Sequence, residues 1–114
     1  MRRTAAQEWA RKADFSNART MNAKYDSHAL DFGITGNRNS TKLAELESAM
    51  REHITAPGTK IYRFGYRGQG QAVGFIDPSS NRMVMLRADT GEFWSGWRLG
   101  DKQFASIIDR GYLR

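Results

Sequence analysis

The spacing of hydrophobic residues predicts helices in the first half of the chain. In residues 40–54, apolar side chains recur at offsets of three, four and four, which predicts a helix with one buried stripe. Residues 5–21 predict an earlier helix in which Trp9 is the one large apolar side chain, and residues 24–32 predict a helical turn or a loop. The stripe of the longer helix consists of Leu43, Leu46, Met50 and Ile54.

From residue 60 onwards the hydrophobic period changes to two, which is typical of strands. Turn-forming residues separate the strands, so we expect a four-stranded antiparallel meander. Residues 101–109 predict a short C-terminal helix. Helices followed by strands and one more helix indicate an α+β fold, with one domain over residues 1–114 and helices covering one sheet face. The predicted strands are residues 60–67, 71–77, 82–88 and 92–99.

The composition excludes several classes of chemistry. Among the 114 residues, 39% are hydrophobic and 26% are charged, which is typical of a globular protein. The chain has no cysteine, which excludes disulfides, thiolate nucleophiles and iron–sulfur clusters. Because the chain has no cysteine and only two histidines, we expect no metal site, and we also expect no cofactor. No apolar run approaches the ~20 residues of a membrane span, so we expect none.

The charge balance favours a nucleic acid partner. The formal net charge is +6, and 13 of the 18 cationic residues are arginine, which binds phosphates in a bidentate manner. Residues 1–24 and residues 58–114 each carry a net +4, whereas residues 25–57 carry −2. The two ends of the chain are therefore the candidate phosphate-binding segments. The alternative is a basic surface without a specific partner.

The open face of the predicted sheet is a candidate RNA surface. If the aromatic residues of strand 60–67 point toward the helices, Arg63 and Arg67 point toward solvent. Ser95 and Trp97 share one face of the last strand, where serine could donate to a phosphate oxygen and tryptophan could stack on a base. Alternatively, Trp97 lies in the core and the arginines are only solvated. The aromatic residues are Tyr62, Phe64 and Tyr66.

His28 is the candidate general acid or base, because it lies in a stretch with no apolar periodicity to explain it. His53 lies on the buried stripe of its helix and is expected to be structural. A metal-free ribonuclease needs a base for the 2′-hydroxyl, an acid for the leaving 5′-oxygen and cations near the phosphorus. Two alternatives remain open, namely a non-catalytic RNA-binding module that uses the same face and a domain whose basic patch binds an acidic protein.

Four blocks of the sequence form an ordered set, namely residues 28–34, the end of the helix at residues 52–54, the Tyr66-Arg67 pair and residues 91–99. In order and spacing, these blocks resemble the colicin D-type tRNase domain. Similar domains form the C-terminal tips of contact-dependent growth inhibition effectors. The resemblance covers about residues 24–114, and residues 1–23 would form a variable N-terminal helix.

The resemblance implies a metal-independent toxin ribonuclease that cleaves tRNA in competing bacteria, with a fold similar to the barnase, colicin E and RelE-like group. His28 would be the general acid or base, while Lys24 and Arg67 would stabilise charge on the scissile phosphate. Lys24 lies one position further from the histidine than the family's lysine. Ser95 would bind a phosphate oxygen, and Trp97 would shape the site or stack on the substrate. The expected substrate-binding residues are Tyr66, Arg63, Arg98 and Tyr25.

The resemblance also implies partners and a location. A cognate immunity protein, expected to be acidic, would neutralise the toxin by covering its basic cleft. Some relatives require elongation factor Tu, which makes that factor a further candidate partner. The domain would be exported as part of a larger effector and delivered into the cytoplasm of the target cell.

Overall fold

The chain folds into helices packed on a curled sheet, as described by a computed structural model for residues 3–114. Residues 1 and 2, which belong to the predicted N-terminal helix, lie outside the described residues. Within residues 3–114, no helix has the combination of length and hydrophobicity that crossing a bilayer requires. The elements in chain order are α1 (Ala5–Lys12), α2 (Ala18–His28), a 3-10 turn (Ala29–Phe32), α3 (Ser40–Thr55), β1 (Lys60–Tyr66), β2 (Gln71–Asp77), β3 (Arg82–Arg87), β4 (Phe93–Arg98), α4 (Asp101–Arg110) and β5 (Tyr112–Leu113).

The N-terminal helix is broken in two, so the prediction of one helix over residues 5–21 is wrong. Asp14 leaves the helix and pairs with the chain before β4, since its N–H donates to the Gly91 carbonyl (3.0 Å) and its carbonyl accepts from the Phe93 N–H (2.8 Å). Asn17 then begins α2 by accepting a hydrogen bond from the Thr20 N–H. The helix α2 continues to His28, through a stretch whose pattern left helix and loop open.

The sheet has five strands in the order β4-β3-β2-β1-β5. The four predicted strands form the expected antiparallel meander. The fifth strand was not predicted, and it pairs with β1 in a parallel direction. Gly111 ends α4 in the left-handed conformation (φ 71°) and returns the chain to the sheet edge. The α+β class is therefore confirmed, with a mixed sheet rather than a purely antiparallel one.

Both faces of the sheet carry a hydrophobic core, so the expectation of one solvent-exposed face is wrong. The helices α1, α2 and α3 pack on the first face through buried residues that include Met21, Met50 and Phe75. The helix α4 packs on the second face, where Ile107 is buried. The second core consists of Phe64, Tyr66, Ala72, Ile76, Met83, Met85, Leu99, Ile107 and Leu113.

The second face also carries the aromatic residues of β1 and the polar residues of β4. Tyr62 contacts α4 through an edge-on contact with Phe104 (ring centroids 5.8 Å apart). Ser95 and Trp97 pair with Met85 and Met83, whose side chains belong to the second core. Because side chains alternate along a strand, these β4 residues share the face that α4 only partly covers. A site can therefore form on this face, beside α4.

Candidate active site

A cavity of about 240 Å³ opens between α2, the end of β1, β4 and the start of α4. It brings together all five residues predicted to act in catalysis, which come from three separate segments of the chain. Tyr66, predicted to bind substrate, also lines it. The lining residues are Lys24, His28, Tyr66, Arg67, Ser95, Trp97 and Gln103.

His28 is the last residue of α2, and its side chain is half-buried in the cavity wall. Its ring lies beside that of Trp97, with centroids 6.0 Å apart and planes inclined by 30°. Burial and the positive charge of Lys24 lower the pKa of His28 below its usual value, and the negative charge of Asp31 opposes them. The neutral imidazole, which can accept a proton, is therefore favoured at neutral pH.

Lys24 and Arg67 bring two positive charges to the same cavity. Lys24 precedes His28 by four residues on α2, so both side chains lie on one face of the helix. Burial lowers the pKa of Lys24, and the charge of Arg67 lowers it further. Arg67 follows β1 with a positive φ of 50°, and its guanidinium lies over the Tyr66 ring, 5.1 Å from the centroid. This arrangement suits an anionic group placed between the two cations.

Ser95 and Trp97 enter the cavity from β4, separated by a glycine that faces the other core. A Cβ on Gly96 would meet the Met83 carbonyl oxygen at 3.1 Å and the Phe32 ring at 3.2 Å, which explains the glycine. The sequence Ser-Gly-Trp thus places two functional side chains on one face and close backbone packing on the other.

Gln103 completes the cavity wall, and the sequence did not single it out. Its Oε1 accepts hydrogen bonds from Trp97 Nε1 (3.2 Å) and from the Gly100 N–H (2.9 Å). The only local signal is its position three residues after the N-cap of α4, where a glutamine typically stabilises the helix start. Its contact with Trp97 depends on how α4 packs and has no signature in the pattern.

Three of the predicted substrate-binding residues lie outside the cavity. Arg63 lies on the opposite sheet face, where its guanidinium is 5.5 Å from the Trp9 ring, because strand alternation separates it from Tyr66. Tyr25 is buried, and its hydroxyl donates to the Gly36 carbonyl at 2.8 Å. The exposed Arg98 follows Trp97 on the strand and does not line the cavity.

The second histidine lies in the core, as a structural histidine should. His53 is 3% exposed, and its Nε2 lies 2.8 Å from the Phe75 carbonyl oxygen. Burial lowers its pKa. In the part of the chain that the structure describes, no three His, Cys, Asp or Glu side chains come together as metal ligands.

Comparisons with known proteins identify a family and a structural neighbour. The profile of the Colicin D family matches residues 20–107, a segment that contains every residue lining the cavity. A solved structure of a ribonuclease from Escherichia coli complexed with its inhibitor protein is 28% identical to this chain, with a TM-score of 0.65. The similarity covers 77% of this chain and 95% of that chain. No curated protein matches this chain.

Proposed function

This chain belongs to the colicin D family, and from that premise we propose that it is a toxin ribonuclease that cleaves tRNA without a metal ion. One observation carries the proposal. A histidine with a lowered pKa shares a 240 Å³ cavity with two cationic side chains, in a chain whose structural neighbour is a ribonuclease. These groups are the ones that phosphodiester transesterification requires.

In the proposed reaction, His28 accepts the proton of a 2′-hydroxyl group. The 2′-oxygen forms a bond to the adjacent phosphorus, and the bond from phosphorus to the 5′-oxygen breaks. The 5′-oxygen takes a proton from the imidazolium that formed in the first step, or through water. The products are a 2′,3′-cyclic phosphate and a 5′-hydroxyl. His28 thus serves as the base, and as the acid where the imidazolium itself protonates the 5′-oxygen.

The other residues of the cavity support this step. Lys24 and Arg67 stabilise the negative charge that develops on the phosphate oxygens. Ser95 donates a hydrogen bond to one of these oxygens, and Trp97 stacks on a base next to the scissile bond. Tyr66 orients Arg67, since the guanidinium lies over its ring.

The proposed partners follow from charge and family. A net charge of +6 suits tRNA as the substrate. The neighbouring ribonuclease was solved with its inhibitor protein, and by analogy an acidic immunity protein covers the cavity of this chain. The proposal includes delivery into a target cell as part of a larger effector, as in contact-dependent growth inhibition. Elongation factor Tu is a candidate partner that cleavage would require.

The test is cleavage of total tRNA by the purified chain, with and without EDTA, followed by analysis of the product ends. We expect fragments with 2′,3′-cyclic phosphate ends in both conditions and none with His28→Ala. The matched control is Ser27→Ala, which changes an exposed residue of the same helix outside the cavity. Cleavage by His28→Ala at the wild-type rate would contradict the role of His28. Salt-sensitive binding without product would instead indicate a non-catalytic RNA-binding module.

A further inference from the structure

A second cavity, of about 290 Å³, lies along α4 and β5 next to the catalytic one. Gln103 lines both cavities, so their walls are contiguous. We call this second cavity the α4 groove. It is lined by Lys102, Gln103, Ser106, Arg110, Tyr112, Leu113 and Arg114.

The α4 groove is cationic, and none of its lining residues within residues 3–114 is an aspartate or a glutamate. Arg110 and Arg114 lie beside the phenol of Tyr112, and Arg110 Nη1 lies 3.4 Å from the Tyr112 hydroxyl. Lys102 adds a third cation to the lining. Hydrogen bonds from Arg110 and Arg114 lower the pKa of Tyr112, which reflects the positive surroundings. On the outer side of α4, Asp109 interrupts the positive surface. Lys102 and Arg110 also reach that outer side, so the two sides of α4 differ in the carboxylate of Asp109, which is absent from the side that continues the catalytic cavity.

The fold holds the α4 groove in a fixed position relative to the catalytic cavity. Gln103, Ser106 and Arg110 follow one another at offsets of three and four on one face of α4, and about 10 Å of helix separates the first from the last. Ser106 donates a hydrogen bond to the Tyr112 carbonyl (2.8 Å), and β5 pairs with β1. The groove thus begins at the catalytic wall and runs away from it along a packed helix.

We propose that the α4 groove is an extended RNA subsite that binds the phosphates of nucleotides flanking the scissile bond. Arg110 and Arg114 contact these phosphates, and Tyr112 offers an aromatic face to a base. The inference rests on the proposed function, because a strand whose phosphate occupies the catalytic cavity must leave it along a neighbouring surface. The contiguous walls, the three cations and a lining without a carboxylate side chain make this groove an exit that suits a polyanion.

The experiment compares two double variants that each remove two positive charges. Arg110→Ala/Arg114→Ala changes the α4 groove. The control is Arg11→Ala/Lys60→Ala, in which both residues are exposed. Arg11 belongs to α1 on the opposite sheet face, and Lys60 lies at the far end of β1. Binding of tRNA is measured over a range of salt concentrations in the His28→Ala background, and cleavage kinetics in the active background. All four residues are exposed, so unfolding temperatures should stay close to that of the parent.

We expect the groove variant to bind tRNA about tenfold more weakly. The slope of log K for binding against log salt concentration should become shallower by about 1.5, because two phosphate contacts are removed. In cleavage, KM should rise while kcat stays within twofold, since the reacting groups are untouched. The control should change both affinity and slope much less. Equal losses in the two variants would overturn the proposal, because the effect would then be one of net charge. Unchanged tRNA affinity with weaker binding of an immunity protein would overturn it too, in favour of a protein-binding surface.

The outcome can be separated from that of the proposed function. If the parent chain cleaves no tRNA but the groove variant alone binds it more weakly, the groove is an RNA-binding surface and the ribonuclease proposal fails. If the parent chain cleaves tRNA and the groove variant matches it in affinity and KM, the ribonuclease proposal stands and the subsite fails.

Discussion

The carboxylate of Asp31 lies 3.9 Å from Nδ1 of His28, and the same oxygen accepts a hydrogen bond from the Arg98 N–H at 3.1 Å. The 3-10 turn after α2 is thereby tied to the end of β4, which also carries Trp97. Asp31 is thus a positioning residue that places negative charge on one side of the imidazole. The other nitrogen, Nε2, is then the one suited to exchange a proton with substrate.

Replacement of Asp31 by Asn should lower the pKa of His28 further, because the carboxylate is the group that raises it. The amide oxygen can still accept the hydrogen bond from Arg98, so the fold should be kept. An NMR titration of the His28 ring measures the pKa directly, and the acidic limb of the pH–rate profile should move to lower pH with it. An unchanged or raised pKa would show that Asp31 does not act on the histidine.

Two variants of Lys24 distinguish a role of its positive charge from a role as a proton donor. Lys24→Met removes a positive charge, so the pKa of His28 should rise and kcat/KM should fall by about 10²–10³-fold. Lys24→Arg keeps the charge but does not release a proton near neutral pH, and it should retain most of the activity if Lys24 acts through its charge. Equal losses in both variants would identify Lys24 as a proton donor instead.

Much of the fold could be predicted because its signals are local. The strands and α3 follow from hydrophobic periods and turn residues within a few positions. The break between α1 and α2 could not be predicted, because the partners of Asp14 lie near residue 92, at the start of β4. The two-residue strand β5 is too short to show a period, and it depends on pairing with β1.

The site was predictable where it depends on residue type and resemblance, and not where it depends on packing. Lys24 and His28 are separated by one helical turn, which the sequence shows directly. The alternation of β1 correctly separates Arg63 from Tyr66, but a period of two does not say which sheet face stays open. The sequence therefore groups Arg63 with the residues of the site, although Arg63 lies on the opposite sheet face. It gives no signal that Gln103 lines the cavity, because this depends on how α4 covers part of the second face.

The two histidines predict how stability depends on pH. Both have pKa values lowered by burial, so the unfolded chain binds protons more readily than the folded chain below about pH 6.5. The free energy of unfolding should therefore fall as the pH decreases from 6.5 toward 5 and should be nearly flat above 7. Urea unfolding at several pH values measures this dependence.

A His28→Gln variant isolates one of the two contributions. It should show a shallower pH dependence than the parent, with the remaining slope due to His53, whose ring is bound to the Phe75 carbonyl in the core. The carboxyls with lowered pKa values, Asp14 and Asp77, contribute only nearer pH 4, where their own titration begins. A stability that rises on acidification between pH 6.5 and 5 would contradict the assignment of both histidines.

Gln103 provides a last test, because it joins the catalytic cavity, the start of α4 and the α4 groove. Gln103→Ala removes the acceptor for Trp97 Nε1 and the Gly100 N–H, and should reduce the free energy of unfolding by about 1–2 kcal/mol. Gln103→Glu keeps an acceptor and should retain most of the stability, but it adds a carboxylate to a wall shared by two cationic cavities. The Glu variant should therefore bind tRNA more weakly than the Ala variant although it is the more stable of the two. The opposite order of tRNA affinities would show that RNA does not pass along this wall.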